Sequence, residues 1–200
     1  MYNLDEMHLY LKNILSEERY NHSVRVMQKA EEYARFYKIS VDILKILALS
    51  HDIAKEMGYL DNQKYVIEND LDLSLLFFEN KYKLHGYVGA DILEKRFGFT
   101  KEMGDAIREH TTANKEMSVI SKILFLADKT EDGRKFSNIE EERALVFQDL
   151  DLAMLVVLKN TIDHAMKRGK KIDGMTIDAF YYFYDLVLFK DKSKGMIKVS

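Results

Sequence analysis

An all-α fold, built as a single helical bundle, is what this sequence predicts, and three observations carry the prediction. There is no Pro and there are only 9 Gly in 200 residues, so the usual punctuation of hairpins and linkers is nearly absent. Leu, Lys, Glu, Ala and Met are plentiful, and all are good helix formers. Apolar residues then recur at helical spacing along most of the chain. With 47% hydrophobic residues the chain can fill one sizeable core, and a domain of this size buries roughly 70% of its unfolded surface. One domain over residues 1–200 is the expectation.

Leu4 to Leu15 reads as an opening helix. Ser16 is a good N-cap for the next one, with Glu17 and Glu18 at its positive end, and His22, Val26, Ala30 and Tyr33 fall on one face of it. Ser40 caps a third helix in which Leu44, Leu47, Ala48 and His51 share a face, with Lys55 one turn on and Gly58 as terminator. Leu60 to Phe78 suggests one or two shorter helices around Asn69-Asp70. His85-Gly86 opens another, whose Gly89 and Ala90 allow a neighbour to approach closely. Lys101 to His110 is a short helix, Thr111 to Asn114 a polar break, and Ser118 caps an apolar helix running to Asp128. From Gly133-Arg134 the chain reads as irregular and charged. Helices over Leu150–Lys167 and Thr176–Phe189 follow, and Lys190 to Lys198 reads as a frayed tail. The aromatic run Phe180 to Tyr184, with Leu186 to Phe189, is expected to pack on the bundle, with a homodimer contact as a lesser alternative.

The net charge of −3 comes without a basic stripe, which argues against a nucleic-acid partner. No apolar run approaches the roughly 20 residues a membrane span needs. The start of the chain lacks the basic and apolar regions of a signal peptide, so a cytoplasmic location is expected. Absence of Cys removes disulfides, thiolate metal sites and cysteine nucleophiles. What remains for chemistry is His and carboxylate. Asp52 and Asp128 lie near the ends of apolar helices, where an uncompensated buried carboxylate is costly. A metal would remove that cost, and so would a salt bridge to Arg or Lys. Imidazole with carboxylate suits iron, manganese, cobalt, nickel or zinc. His8 and His164 are set aside as structural.

The order His22, His51-Asp52, His85, His110, Asp128 resembles the ligand order of the HD-domain phosphohydrolase superfamily. Residues Leu15 to Val26, His51-Asp52-Ile53-Ala54-Lys55-Glu56, His85-Gly86 with Val88-Gly89-Ala90, His110-Thr111-Thr112 and Phe125-Leu126-Ala127-Asp128 resemble its YqeK branch. That branch comprises symmetrical bis(5′-nucleosyl)-tetraphosphatases. The resemblance runs from about Leu15 to Thr176. It implies a metal-ligand core over about 15–134, C-terminal helices over 149–189 and a flexible tail over 190–200. It implies His22, His51, Asp52, His85, His110 and Asp128 as ligands of one or two divalent ions, with Asp52 the bridge to a second, iron foremost and manganese, cobalt or zinc as alternatives. It further implies Asp52 and Lys55 as catalytic residues. Nucleotide contacts would come from Arg19, His22, Asp52, Ile53, Ala54, Lys55, His85, His110, Thr111, Arg134, Ile172 and Thr176. The expected reaction is cleavage of diadenosine tetraphosphate to two ADP by a metal-activated hydroxide. Hydrolysis of another nucleotide and a non-catalytic nucleotide sensor are the alternatives. Three segments depart from the branch: Ala113-Asn114 where Gly-Arg is usual, Glu131-Asp132-Gly133-Arg134 for Glu-Pro-x-Arg, and Ile172-Asp173-Gly174-Met175-Thr176 for Ile-His-Pro-x-Thr.

Overall fold

The computed structural model describes residues 2–77 and 81–193, the side chains of 191–193 excepted. The described residues form helices and no strand: α1 (Leu4–Ile14), α2 (Glu17–Tyr37), α3 (Val41–Ser50), α4 (Gly58–Glu68), α5 (Leu84–Phe97), α6 (Lys101–Glu109), α7 (Val119–Thr130), α8 (Ile139–Val146), α9 (Leu150–Lys167) and α10 (Gly174–Ser193). Short 3₁₀ turns cover Lys55–Met57, Leu73–Phe77 and Lys81–Lys83. The starts are set by side chains that satisfy otherwise orphaned amides. Ser16, Ser40, Thr100 and Ser118 each accept a bond from the amide three residues on, and Asp149 accepts from Asp151 and Leu152.

At the centre α2 packs against α3 and α7; α6 and α9 each pack on α7, α6 carrying α5 with it and α9 carrying α10. Val26, Ala30 and Tyr33 from α2 meet Leu44, Leu47 and Ala48 from α3 and Ile123, Leu124 and Ala127 from α7, all fully buried. The Tyr33 hydroxyl bonds Thr130 Oγ1 at 2.8 Å. Phe183 anchors α10 in the core, while Tyr181, Tyr184 and Phe189 are exposed. No helix among the described residues is long and apolar enough to cross a membrane.

The third helix stops at Ser50 rather than at Gly58. Ser50 Oγ bonds the Ile46 carbonyl at 2.7 Å and His51 Nδ1 bonds that of Ala48 at 2.7 Å. The Ser50 bond doubles up on a carbonyl inside the helix, whereas the His51 ring takes the Ala48 carbonyl that a continuing helix would use, and His51 to Ala54 turn back as a loop. Gly58 begins α4, and of the expected segment Leu60 to Phe78 the last residue lies outside the described residues. The charged stretch after Gly133 contains α8, whose apolar pattern is hidden because a glutamate, Glu142, takes a buried place and bonds Asn160 at 2.7 Å. Helix α10 runs past Lys190, where the tail was expected to begin. Lys190 is in α10 and pairs with Asp151 at 2.6 Å and Asp149 at 3.2 Å, and residues 194–200 lie outside the described residues.

Candidate metal centre

Four histidines and two aspartates from α2, the turn after α3, α5, the end of α6 and α7 converge at one buried point. Asp52 stands between two groups. Its Oδ2 lies 3.4 Å from His51 Nε2 and 4.0 Å from His22 Nε2. Its Oδ1 lies 3.2 Å from His85 Nε2 and 3.3 Å from His110 Nε2. Asp128 Oδ1 closes the first group, 3.2 Å from His22 Nε2 and 3.9 Å from His51 Nε2.

The ring orientations say what these atoms can do. His51, His85 and His110 each place Nδ1 against a backbone carbonyl three residues earlier, those of Ala48, Tyr82 and Ile107. A carbonyl oxygen only accepts, so Nδ1 carries the hydrogen in all three, and the neutral ring presents a lone pair at Nε2. Burial lowers the His110 pKa to about 4 and lowers that of His85 as well, so both rings are neutral at pH 7. Yet their Nε2 atoms face each other at 3.1 Å beside Asp52 Oδ1. Three acceptors at such spacing call for a positive charge among them. Ligand atoms around an ion at about 2.1 Å stand about 3 Å apart. Asp52 Oδ1 and His51 Nε2 are also buried with no hydrogen-bond partner, as donor atoms awaiting a ligand would be. The residues fit a divalent metal held by nitrogen and oxygen.

Burial alone would lift both carboxyls, but nearby positive charge outweighs it. The neighbouring imidazoles, His51 foremost, hold Asp52 well below the usual carboxylate range, and Lys129, His22 and His51 do the same for Asp128. Burial likewise opposes a charged His51, but the Asp52 carboxylate outweighs it and raises that ring. Four cations surround the cluster. Arg19 Nη1 lies 2.8 Å from Asp52 Oδ2, Lys55 Nζ 3.3 Å from His85 Nε2, Lys129 Nζ 2.7 Å from Asp128 Oδ2, and Arg134 Nη2 3.1 Å from Asp128 Oδ1. These residues, with Asp52, His110, Thr111 and Asp128, line a chamber of about 250 Å³. Arg19 and Lys55 also line a second, larger cavity of about 1130 Å³. Its wall carries Tyr59, Tyr82, Lys81, Lys170, Lys171 and Ile172.

A model of the HD domain family matches residues 19–133, more than half the chain. The chain belongs to the HD domain family. It is 32% identical over 171 residues to "Bis(5'-nucleosyl)-tetraphosphatase, symmetrical" of Halalkalibacterium halodurans and, separately, of Bacillus subtilis, covering 85% of this chain and 91% of each relative. A crystal structure from Clostridium acetobutylicum, described as a predicted HD superfamily hydrolase involved in NAD metabolism, superposes with a TM-score of 0.86 at 32% identity. That match covers 92% of this chain and 98% of the other. Divalent-metal binding is implied by the HD domain and agrees with the His/Asp groups described above.

Within this HD domain the expected nucleotide contacts separate into those that reach a cavity and those that do not. Arg19, Lys55, His110, Thr111 and Arg134 line the small chamber; Arg19, Lys55, His85 and Ile172 line the large cavity. Ile53 and Ala54 are instead buried in the core and line neither. Their apolar side chains pack inward once the turn has pointed His51 and Asp52 the other way. Thr176 is also elsewhere, its hydroxyl donated to the Thr112 carbonyl at 2.9 Å. His8 bonds the Tyr20 hydroxyl at 2.7 Å, and His164 lies beside Arg168, both away from the cluster. Two residues close to the ligands escaped the sequence reading. Lys129 adjoins Asp128 in sequence, and neighbours on a helix usually diverge, so no signal marked it. Glu131 is one turn beyond Asp128, a spacing that could have flagged it.

Proposed function

We propose that this protein hydrolyses dinucleoside tetraphosphates symmetrically, converting diadenosine tetraphosphate and one water into two ADP. The observation that carries the reading is the cation-lined chamber at the His/Asp cluster, which shares Arg19 and Lys55 with a larger cavity. A tetraphosphate spanning the two past these cations would set its central phosphoanhydride beside the cluster, with a nucleoside in the larger space. The names of the relatives support the same substrate.

His22, His51, Asp52 and Asp128 would hold one ion, and Asp52, His85 and His110 a second. The bound metal supplies Lewis-acid polarisation of phosphoryl oxygens and acidifies water towards a pKa of about 7. Arg19, Lys55, Lys129 and Arg134 bind the phosphate oxygens and offset the charge that builds on the leaving ADP. Thr111, whose Oγ1 lies 3.2 Å from His110 Nε2, adds a neutral donor on the chamber wall. The nitrogen and oxygen ligands suit iron, our first choice, and also manganese, cobalt or zinc. The reading needs only one chain, and a cytoplasmic location accords with a free nucleotide substrate.

Chromatography of the products from a panel of mono-, tri- and dinucleotides, with each of the four metals added separately, tests this. ADP as sole product from the tetraphosphate is expected. ATP with AMP, or no turnover with any metal, overturns it.

A further inference from the structure

We infer that Glu131 is a positioning residue for His22, aiming its Nε2 at the metal and raising its strength as a ligand. The inference rests on the metal reading of the cluster, and not on the identity of the nucleotide.

Three of the four clustered histidines are aimed by backbone. Two of these, His51 and His110, follow the last residues of α3 and α6, where helix-terminal carbonyls lack amide partners and can accept from a ring Nδ1. The third, His85, is at the start of α5 and uses the carbonyl of the preceding 3₁₀ turn. His22 has no such carbonyl, because it lies inside α2, where the ladder occupies them. Its Nδ1 instead meets Glu131 Oε1 at 3.3 Å, while its Nε2 faces Asp128 at 3.2 Å. A carboxylate behind an imidazole fixes the tautomer and increases ligand basicity more than a carbonyl does.

Glu131 is itself held from every side. Its Oε2 accepts from Arg25 Nε at 2.7 Å and from the Gly133 amide at 2.5 Å, and its carbonyl accepts from Arg143 Nη2 at 2.8 Å. The glutamate is 3% exposed, so its aim does not depend on a mobile surface chain. Gly133 makes the arrangement possible. A Cβ there would stand 2.7 Å from Arg25 Nε and 2.9 Å from Glu131 Oε2, closer than packed atoms come.

Manganese and zinc affinity, measured by calorimetry on the full chain after metal removal and without nucleotide, tests the inference. E131A is expected to weaken affinity about 10–100-fold. E131Q, which keeps an acceptor for Nδ1 but loses the charge, should fall between E131A and the unsubstituted protein. G133A, which substitutes neither a ligand nor Glu131 but crowds the Glu131 carboxylate, should also weaken binding. E142Q, at a buried glutamate outside the cluster, controls for general destabilisation and should leave affinity unchanged. E131A binding within about twofold of the unsubstituted protein, or E142Q losing as much as E131A, overturns the role of Glu131 alone. No metal uptake by the unsubstituted protein overturns the metal reading with it. Failure to cleave tetraphosphate bears on neither.

Discussion

Opposite protonation tendencies meet within a few ångströms around Asp52. Burial lowers the pKa of His110 and His85 and keeps both neutral at pH 7, whereas the Asp52 carboxylate raises that of His51 against the same burial. Metal ligation needs His51 deprotonated. Metal uptake should therefore release more protons as pH falls, read from calorimetry in buffers of different ionisation enthalpy. His110 also acts on stability. Its folded pKa, about 4, is below the ordinary value near 6.5, so between those two values the unfolded chain binds the extra proton. This contribution is intact above pH 6.5 and is lost as pH falls towards 4, at up to about 1.4 kcal/mol per pH unit. Urea midpoints of the metal-free protein should drop accordingly between pH 6.5 and 5. Arg19 touches Asp52 and both cavities. Arg19→Ala should lower kcat/KM about 10–100-fold, the worth of one charged hydrogen bond of about 1.5–3 kcal/mol.

Helix ends, more than helix middles, build this site. The turn after α3 is closed by His51, whose ring takes the Ala48 carbonyl that the helix abandons, and the turn then hands Asp52 to the cluster. It is held from behind by α5. A Cβ on Gly89 would stand 3.1 Å from Ile53 Cγ2, so Gly89→Ala must push on the residue after Asp52. An overpacking cost of about 1–3 kcal/mol in urea unfolding is expected, with weakened metal affinity in calorimetry. The end of α2 is less well made. Exposed Lys38 occupies a left-handed C-cap at φ 54° and donates to the Ala34 and Arg35 carbonyls. Lys38→Gly keeps those bonds and removes the Cβ strain, and should raise urea stability by about 1 kcal/mol with no change in turnover.

Across the whole molecule, the C-terminal helices close what the first part of the chain begins. Residues 170–175 between α9 and α10 wall the larger cavity, and Lys83 before α5 pairs with Asp173 there at 3.2 Å. Thr176 ties α10 to the Thr112 carbonyl, 64 residues away in sequence. Thr176→Val should cost about 1 kcal/mol of stability by urea unfolding. Because the hydroxyl faces Thr112 and not a cavity, KM for the tetraphosphate should stay within about twofold of the unsubstituted value. Residues 172–176, one of the three segments that depart from the branch's pattern, thus have two roles. Ile172 to Met175 can tune what enters the cavity, whereas Thr176 fastens it to the core.

Composition and periodicity were enough to determine an all-α chain and most helix starts, because caps such as Ser16, Ser40 and Ser118 act within three residues of themselves. Composition left His and carboxylate as the available chemistry, and the particular His/Asp set was legible only through its resemblance to the HD ligand order. Long-range contacts decided the rest. Whether Asp52 faced a salt bridge or a metal could not be read from spacing, and the fold places Arg19 and four imidazoles around it at once. α8 was hidden because Glu142 fills an apolar position by bonding Asn160. Ile53, Ala54 and Thr176 looked like substrate contacts beside true cavity residues, and only packing turned them inward. Glu131 joined the site by the same logic: a histidine inside a helix has no free carbonyl to aim it, so the aim must come from another part of the chain.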